Sequence, residues 1–304
     1  MNLKSLGQTG LNIPEVGLGT WNYHGGVEPL RAGLEQGALF IDTAESYGSE
    51  PVIGEAIRGI REQVFLATKV SPEHFRYQEV LRAADESLCR LGANHIDLYQ
   101  LHYPSSKVPI DETLGAMEEL VKTGKVRFIG VSNFSLTELK KAQQAMHKHK
   151  QRIVANQVRY NLVDRTIERD LLSYCQANHV SIIAYSPLSR DLQRIFDYDS
   201  KRVLLEIAKA EAKTPAQVAI NWCLCKEGVF AIPKGNSVGH VVENCAASGW
   251  RLEARHLRLL DENIKFRRRS RFEIVLRRLF PRSLSGIALA FIQGLPRGVR
   301  RRFR

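Results

Sequence analysis

The chain has 304 residues, 44% hydrophobic and 25% charged, a profile that fits a globular protein with a large core and excludes a disordered or fibrous one. Its net charge of +12 is uneven: residues 266–304 hold twelve arginines against one glutamate, +11 in all, which leaves +1 for residues 1–265. No stretch of about 18 apolar residues is present to span a membrane, the first residues do not read as a secretory leader, and Cys89, Cys175, Cys223, Cys225 and Cys245 match neither a disulfide framework nor a metal knuckle; the expectation is a reduced, cytoplasmic protein with no metal site.

Taken in chain order, the first element is a pair of short segments around Gly10, from Lys4 to Pro14, that reads as a β-hairpin able to plug the bottom of a barrel. Eight short apolar or β-branched runs follow: 15–19, 38–42, 64–70, 96–102, 126–132, 153–160, 180–187 and 229–234. Most lack in/out alternation, as parallel strands buried on both faces do. Helical stretches separate them. Ser135-Leu-Thr-Glu138 and Thr214-Pro-Ala-Gln217 read as capping boxes, the second with proline at the first helical position. The segment from Thr113 to Lys122 has helical spacing, and Gly124 stops it. Eight strand–helix units predict a closed (β/α)8 barrel over residues 1–265. The alternative, an open doubly wound sheet, usually carries G-x-G-x-x-G after its first strand, and none follows any run here.

Catalytic groups of such barrels sit at the C-terminal ends of the strands. Those ends are, in order, Gly19-Thr20-Trp21; Asp42, with Tyr47 in the loop beyond; Lys69; His102; Ser132-Asn133; Gln157; Tyr185-Ser186-Pro187; and Pro233-Lys234-Gly235. Alone, Asp42 reads as a turn acid, Tyr47 as a loop tyrosine, Lys69 as a strand-end charge and His102 as a satisfied histidine. Together they form a workable proton-transfer site. Reducing a carbonyl needs a hydride donor and an acid for the developing alkoxide. A free tyrosine, pKa about 10, is a weak acid near neutrality; the ammonium of Lys69 is expected to lower that pKa, with Asp42 holding Lys69 charged and oriented. His102 is expected to donate to the carbonyl oxygen, and Trp21 and Tyr103 to wall the pocket.

The motifs Phe40-Ile-Asp-Thr-Ala-Glu-Ser-Tyr-Gly48, Thr68-Lys69, Asp97-Leu-Tyr-Gln-Leu-His102, Gly130-Val-Ser-Asn-Phe134, Asn156-Gln157, Tyr185-Ser-Pro-Leu188 and Ile232-Pro-Lys-Gly235 together resemble the aldo-keto reductase family, from about Leu3 to Leu260. The resemblance implies a catalytic tetrad of Asp42, Tyr47, Lys69 and His102 with Tyr47 as general acid, and NADPH extended across the strand ends. It implies that Ser132, Asn133 and Gln157 hold the carboxamide, Tyr185 stacks on the nicotinamide, Ser186 and Leu188 flank the pyrophosphate, and Glu243 and Asn244 meet the adenine, with Thr20, Lys234, Ser237 and His240 as further contacts. Lys234 suits a 2′-phosphate. His240 stands where the family often has arginine and lacks the bidentate fork, so NADPH is expected to be preferred with NADH also accepted.

Residues 266–304 follow a different pattern. Phe272, Val275, Leu276, Leu279 and Phe280, then Leu284, Ile287, Ala288, Phe291, Ile292 and Leu295 form two apolar stripes at helical spacing, flanked by arginine triplets. Three readings stay open for this tail: helices packed on the barrel, a peripheral element for an anionic membrane, or a patch for an acidic partner. Few aromatics interleave with the arginines, so nucleic acid is not indicated. Two further functional readings stay open: a redox-sensing regulatory module that holds the cofactor and turns over slowly, and a barrel enzyme acting on phosphorylated substrates.

Overall fold

The computed structural model describes residues 1–149 and 151–269. Strands β1 (Leu3–Ser5) and β2 (Asn12–Pro14) pair antiparallel, Leu3 opposite Pro14, and Gly10 at φ +74° turns the chain between them. This is the expected hairpin. Leu6 and Ile13 are buried against Phe40, Phe65, Leu98, Ile183 and Phe230 of the barrel interior, so the hairpin closes the barrel floor.

The barrel strands are β3 (Leu18–Gly19), β4 (Phe40–Asp42), β5 (Phe65–Val70), β6 (Ile96–Leu101), β7 (Val126–Ser132), β8 (Ile153–Arg159), β9 (Ser181–Tyr185) and β10 (Val229–Ile232), all parallel and each bonded to its sequence neighbour. Gly17 N donates to Ala231 O at 2.9 Å, Ala231 N to Glu15 O at 3.0 Å and Gly19 N to Pro233 O at 3.0 Å, which joins the first strand to the last. Glycine is needed at position 19, because a Cβ there would lie 2.5 Å from Ile232 O. β5 and β6 are buried at every residue, the physical origin of their missing alternation. The strands are shorter than the apolar runs, most clearly β3 and β4, which begin at Leu18 and Phe40 and keep the ends of their runs, Gly19 and Asp42.

Helices α1 (Val27–Glu35), α2 (Glu50–Ala56), α3 (Tyr77–Leu91), α4 (Ile110–Lys122), α5 (Leu136–Lys148), α6 (Leu171–Ala177), α7 (Gln193–Phe196), α8 (Val203–Ala210), α9 (Pro215–Leu224), α10 (Val238–Cys245) and α11 (Ala254–Asn263) accompany the strands. Both capping boxes form: Thr214 and Gln217 exchange bonds at α9, and Ser135 and Glu138 at α5. α4 starts at Ile110, earlier than Thr113, because Pro109 supplies its N-cap. The long gap before the last strand is filled by α7, α8 and α9. Among the described residues no helix is long and apolar enough to cross a membrane.

After α11 the chain returns to the loop that follows β8. Arg267 bridges Asp164 in parallel, Arg269 pairs with Asp164 at 2.6 Å, and Arg268 pairs with Glu168 at 3.4 Å. Three arginines counted with the tail are therefore answered by acids of the barrel. The two apolar stripes, Phe272–Phe280 and Leu284–Leu295, lie outside the described residues.

Candidate active site

β4 ends in Asp42 and β5 carries Lys69, and the two meet inside the barrel mouth. Lys69 Nζ donates to Asp42 Oδ2 at 2.7 Å and to Thr43 O at 2.6 Å, with none of the lysine exposed. The other carboxylate oxygen, Asp42 Oδ1, accepts from Gln157 Nε2 at 2.6 Å and from Gln100 Nε2 at 3.3 Å. Burial lowers the Lys69 pKa, and the Asp42 carboxylate opposes that shift. An ammonium this deep stays charged only because a carboxylate sits on it.

Tyr47 ends a 3-10 turn, Glu45–Tyr47, above this pair. Its ring lies 5.0 Å from Lys69 Nζ, and its hydroxyl is 3.2 Å from His102 Nε2. Tyr103 stacks on His102 at 4.6 Å. The four tetrad positions and Tyr103 thus come together. One expectation is corrected. The net shift of the Tyr47 pKa is upward: burial, and then the Asp42 carboxylate, raise it well above the ordinary phenol value. Burial, reinforced by Lys69, pushes His102 down to about 3, so its ring is neutral at physiological pH.

Ser132 and Asn133 follow at the end of β7. Ser132 Oγ donates to Gln157 O at 3.0 Å; Asn133, at φ +64°, donates to His102 O and to Ser132 Oγ, both at 3.0 Å. Tyr185 donates to Asn133 Oδ1 at 2.9 Å, so the ends of β7 and β9 are cross-tied beside His102. Ser186, Ser189 and Arg190 hold positive φ of 52°, 57° and 76°, an unusual concentration in one loop, with Leu188 half-buried between them. Such folded backbone forms concavities that suit anions. The Arg190 guanidinium lies 4.8 Å over the exposed ring of Trp21 and joins the loops after β3 and β9.

Lys234, Ser237 and His240 are exposed around the start of α10. Ser237 caps that helix, and Lys234 Nζ donates to Asn22 O at 3.2 Å. An exposed lysine beside a helix N-terminus fits a phosphate. Glu243 is half-buried. Asn244 is buried, and its Nδ2 contacts Lys234 O at 3.4 Å. Thr20 is wholly buried, and its hydroxyl donates to Asp42 O at 2.9 Å while accepting from Ser49. Its side chain therefore supports the end of β4. Sequence reasoning missed Gln100 and Arg190. A polar residue in the otherwise apolar run Leu98–Leu101 was the available signal for Gln100; Arg190 gave none.

Residues 15–265 match the model of the aldo/keto reductase family. A methylglyoxal reductase of Escherichia coli is 39% identical over 83% of this chain and 91% of its own length. A glyoxal reductase of Bacillus subtilis is 32% identical over 83% of this chain and 89% of its own. Among solved structures, an aldo/keto reductase from Klebsiella pneumoniae in complex with NADP and acetate aligns with a TM-score of 0.78 at 38% identity, covering 85% of this chain and 94% of that one.

Proposed function

The chain belongs to the aldo/keto reductase family, and we propose that it reduces small aldehydes and ketones to alcohols with NADPH as reductant and Tyr47 as general acid. One observation carries this reading: the Tyr47 hydroxyl and the neutral His102 Nε2 lie 3.2 Å apart, above a buried Lys69–Asp42 pair. Two neutral hydrogen-bonding groups so close can address one carbonyl oxygen together. The relatives that reduce methylglyoxal and glyoxal favour short 2-oxoaldehydes as first substrates to try.

The bound cofactor supplies the hydride. In the proposed reaction His102 Nε2–H orients the carbonyl oxygen, and Tyr47 gives its phenolic proton to that oxygen as negative charge develops there. Preorganised donors of this kind are usually the largest electrostatic contribution to such a step. Lys69 and Asp42 set the field beneath the phenol. Ser132, Asn133 and Gln157 suit the carboxamide and Tyr185 the nicotinamide face, while Ser186 and Leu188 suit the pyrophosphate. Lys234, Ser237 and His240 suit the 2′-phosphate. NADH is still accepted on this reading, though less well than NADPH, because His240 offers no fixed fork to make the 2′-phosphate preference strict.

NADPH consumption, followed over a panel of 2-oxoaldehydes, ketones and quinones, tests the proposal. Quenching of tryptophan fluorescence by NADPH with turnover on some member of the panel supports it. Quenching without turnover points to a redox-sensing module, and no quenching would overturn the proposed use of NADPH. For residues 266–304 we propose docking on an anionic membrane surface, supported by the +8 (nine arginines, one glutamate) that residues 270–304 carry beyond the three arginines paired with Asp164 and Glu168.

A further inference from the structure

Gln100 is a wholly buried amide on an inward-facing phase of β6. It shares that phase with Leu98, which belongs to the apolar barrel interior, and it lies in register with Lys69 on one side and Gly130 on the other. Room for it depends on that glycine: a Cβ at position 130 would lie 3.0 Å from Gln100 Cγ and 3.1 Å from Leu98 Cδ1. A leucine would fill the same volume without burying a polar group, so the amide needs bonds to justify its place.

Those bonds form a closed triangle. Gln100 Nε2 donates to Asp42 Oδ1 at 3.3 Å, Gln157 Nε2 donates to the same oxygen at 2.6 Å, and Gln157 Nε2 also donates to Gln100 Oε1 at 3.3 Å. The orientation of Gln157 follows from chemistry. Turned over, its carbonyl oxygen would face the Asp42 carboxylate at contact distance, acceptor against acceptor. With the nitrogen drawn inward by two acceptors, Oε1 is the atom Gln157 has for a donor on the cofactor side.

We propose that Gln100 is a positioning residue: together with Asp42 it fixes the Gln157 amide nitrogen-inward, so that Oε1 accepts from the N–H of the nicotinamide carboxamide. The tetrad carboxylate thereby takes part in cofactor recognition as well as in holding Lys69. This rests on the proposed contact between Gln157 and the carboxamide, and the experiment separates the two ideas.

The probes are NADPH and its reduced 3-acetylpyridine analogue, in which a methyl ketone replaces the carboxamide and no N–H remains. Dissociation constants are measured by tryptophan quenching for wild type, Gln100→Leu, Gln100→Met and Gln157→Leu. Wild type is expected to prefer NADPH by about tenfold, the usual worth of one well-made hydrogen bond. In both Gln100 variants that preference is expected to fall to about twofold or less, through weaker NADPH binding, with analogue affinity nearly unchanged. General damage to the fold would weaken both ligands alike, and equal weakening in both Gln100 variants would overturn the proposal. A preference lost in Gln157→Leu but kept in the Gln100 variants would overturn the role of Gln100 while sparing the Gln157 contact. A preference kept in all three variants would overturn the contact itself and this inference with it.

Discussion

His102 titrates in the unfolded chain near 6.5 and in the folded protein near 3, because burial and the Lys69 charge both oppose its protonation. Between those values the unfolded chain binds a proton that the native state refuses, so stability falls as pH drops from about 6.5 towards 3. At pH 4.5, about two units below the unfolded value and still above the folded one, the loss amounts to about 2.7 kcal/mol. Little screening reduces this figure, since His102 is only 7% exposed. Urea unfolding of wild type and His102→Gln at pH 7.5 and 4.5 isolates the effect, because every other titrating group is common to both proteins. Wild type is expected to lose about 2.7 kcal/mol more than the variant between the two conditions. The imidazole Cε1–H resonance of His102 is expected to stay flat from pH 8 to 4.5. A titration midpoint near 6, or equal stability losses in the two proteins, would refute the assignment of a neutral His102.

Tyr47→Phe is expected to reduce carbonyl turnover by ~10²–10⁴-fold while sparing NADPH binding; a steady-state rate above about a tenth of wild type would remove Tyr47 from the role of acid. Lys69→Met leaves the Asp42 carboxylate, 3% exposed, without its cation, at a cost of ~3–5 kcal/mol in urea unfolding. Lys69→Met/Asp42→Asn should recover much of that loss, and a double variant less stable than Lys69→Met would contradict the reading. Lys234→Ala should weaken NADPH by ~1.5–3 kcal/mol and leave NADH unchanged; equal losses would show that Lys234 does not read the 2′-phosphate. A chain ending at Arg269 keeps the ion pairs to Asp164 and is expected to retain turnover while losing salt-sensitive co-sedimentation with acidic vesicles. Vesicle binding unchanged by this truncation, or absent from the full-length protein, would dispose of the docking idea.

The barrel was legible because strands buried on both faces leave continuous apolar runs, and because the boxes at Thr214 and Ser135 mark helix starts by local chemistry. The grouping of Asp42, Tyr47, Lys69 and His102 was legible for a related reason: each falls at or just beyond the end of such a run. What could not be read depends on what packs against what. Whether the Thr20 hydroxyl faces the site or the neighbouring strand is decided by Asp42 O and Ser49, far away in the chain. Gln100 reads as an anomaly in an apolar run until Gly130, on the next strand, makes room for its side chain. Arg190 reaches Trp21 across the barrel mouth by way of three positive-φ residues, and nothing in Ser186-Pro-Leu-Ser-Arg190 announces that conformation.

The sign of the Tyr47 shift shows why proximity alone misleads. Lys69 lies 5.0 Å from the ring, close enough to favour a phenolate if it acted as an isolated charge. Its partner Asp42, 2.7 Å from Lys69 Nζ, acts on the phenol in the opposite sense. Desolvation of the phenolate is the larger effect, and the net shift is upward. The consequence for the proposed chemistry is that Tyr47 keeps its proton throughout the neutral range and faces a neutral imidazole, so neither group must change charge before a carbonyl arrives. An alkoxide oxygen developing between them would be a far stronger base than either group at rest. On this account the proton moves because of charge created in the reaction rather than because the resting phenol is acidic.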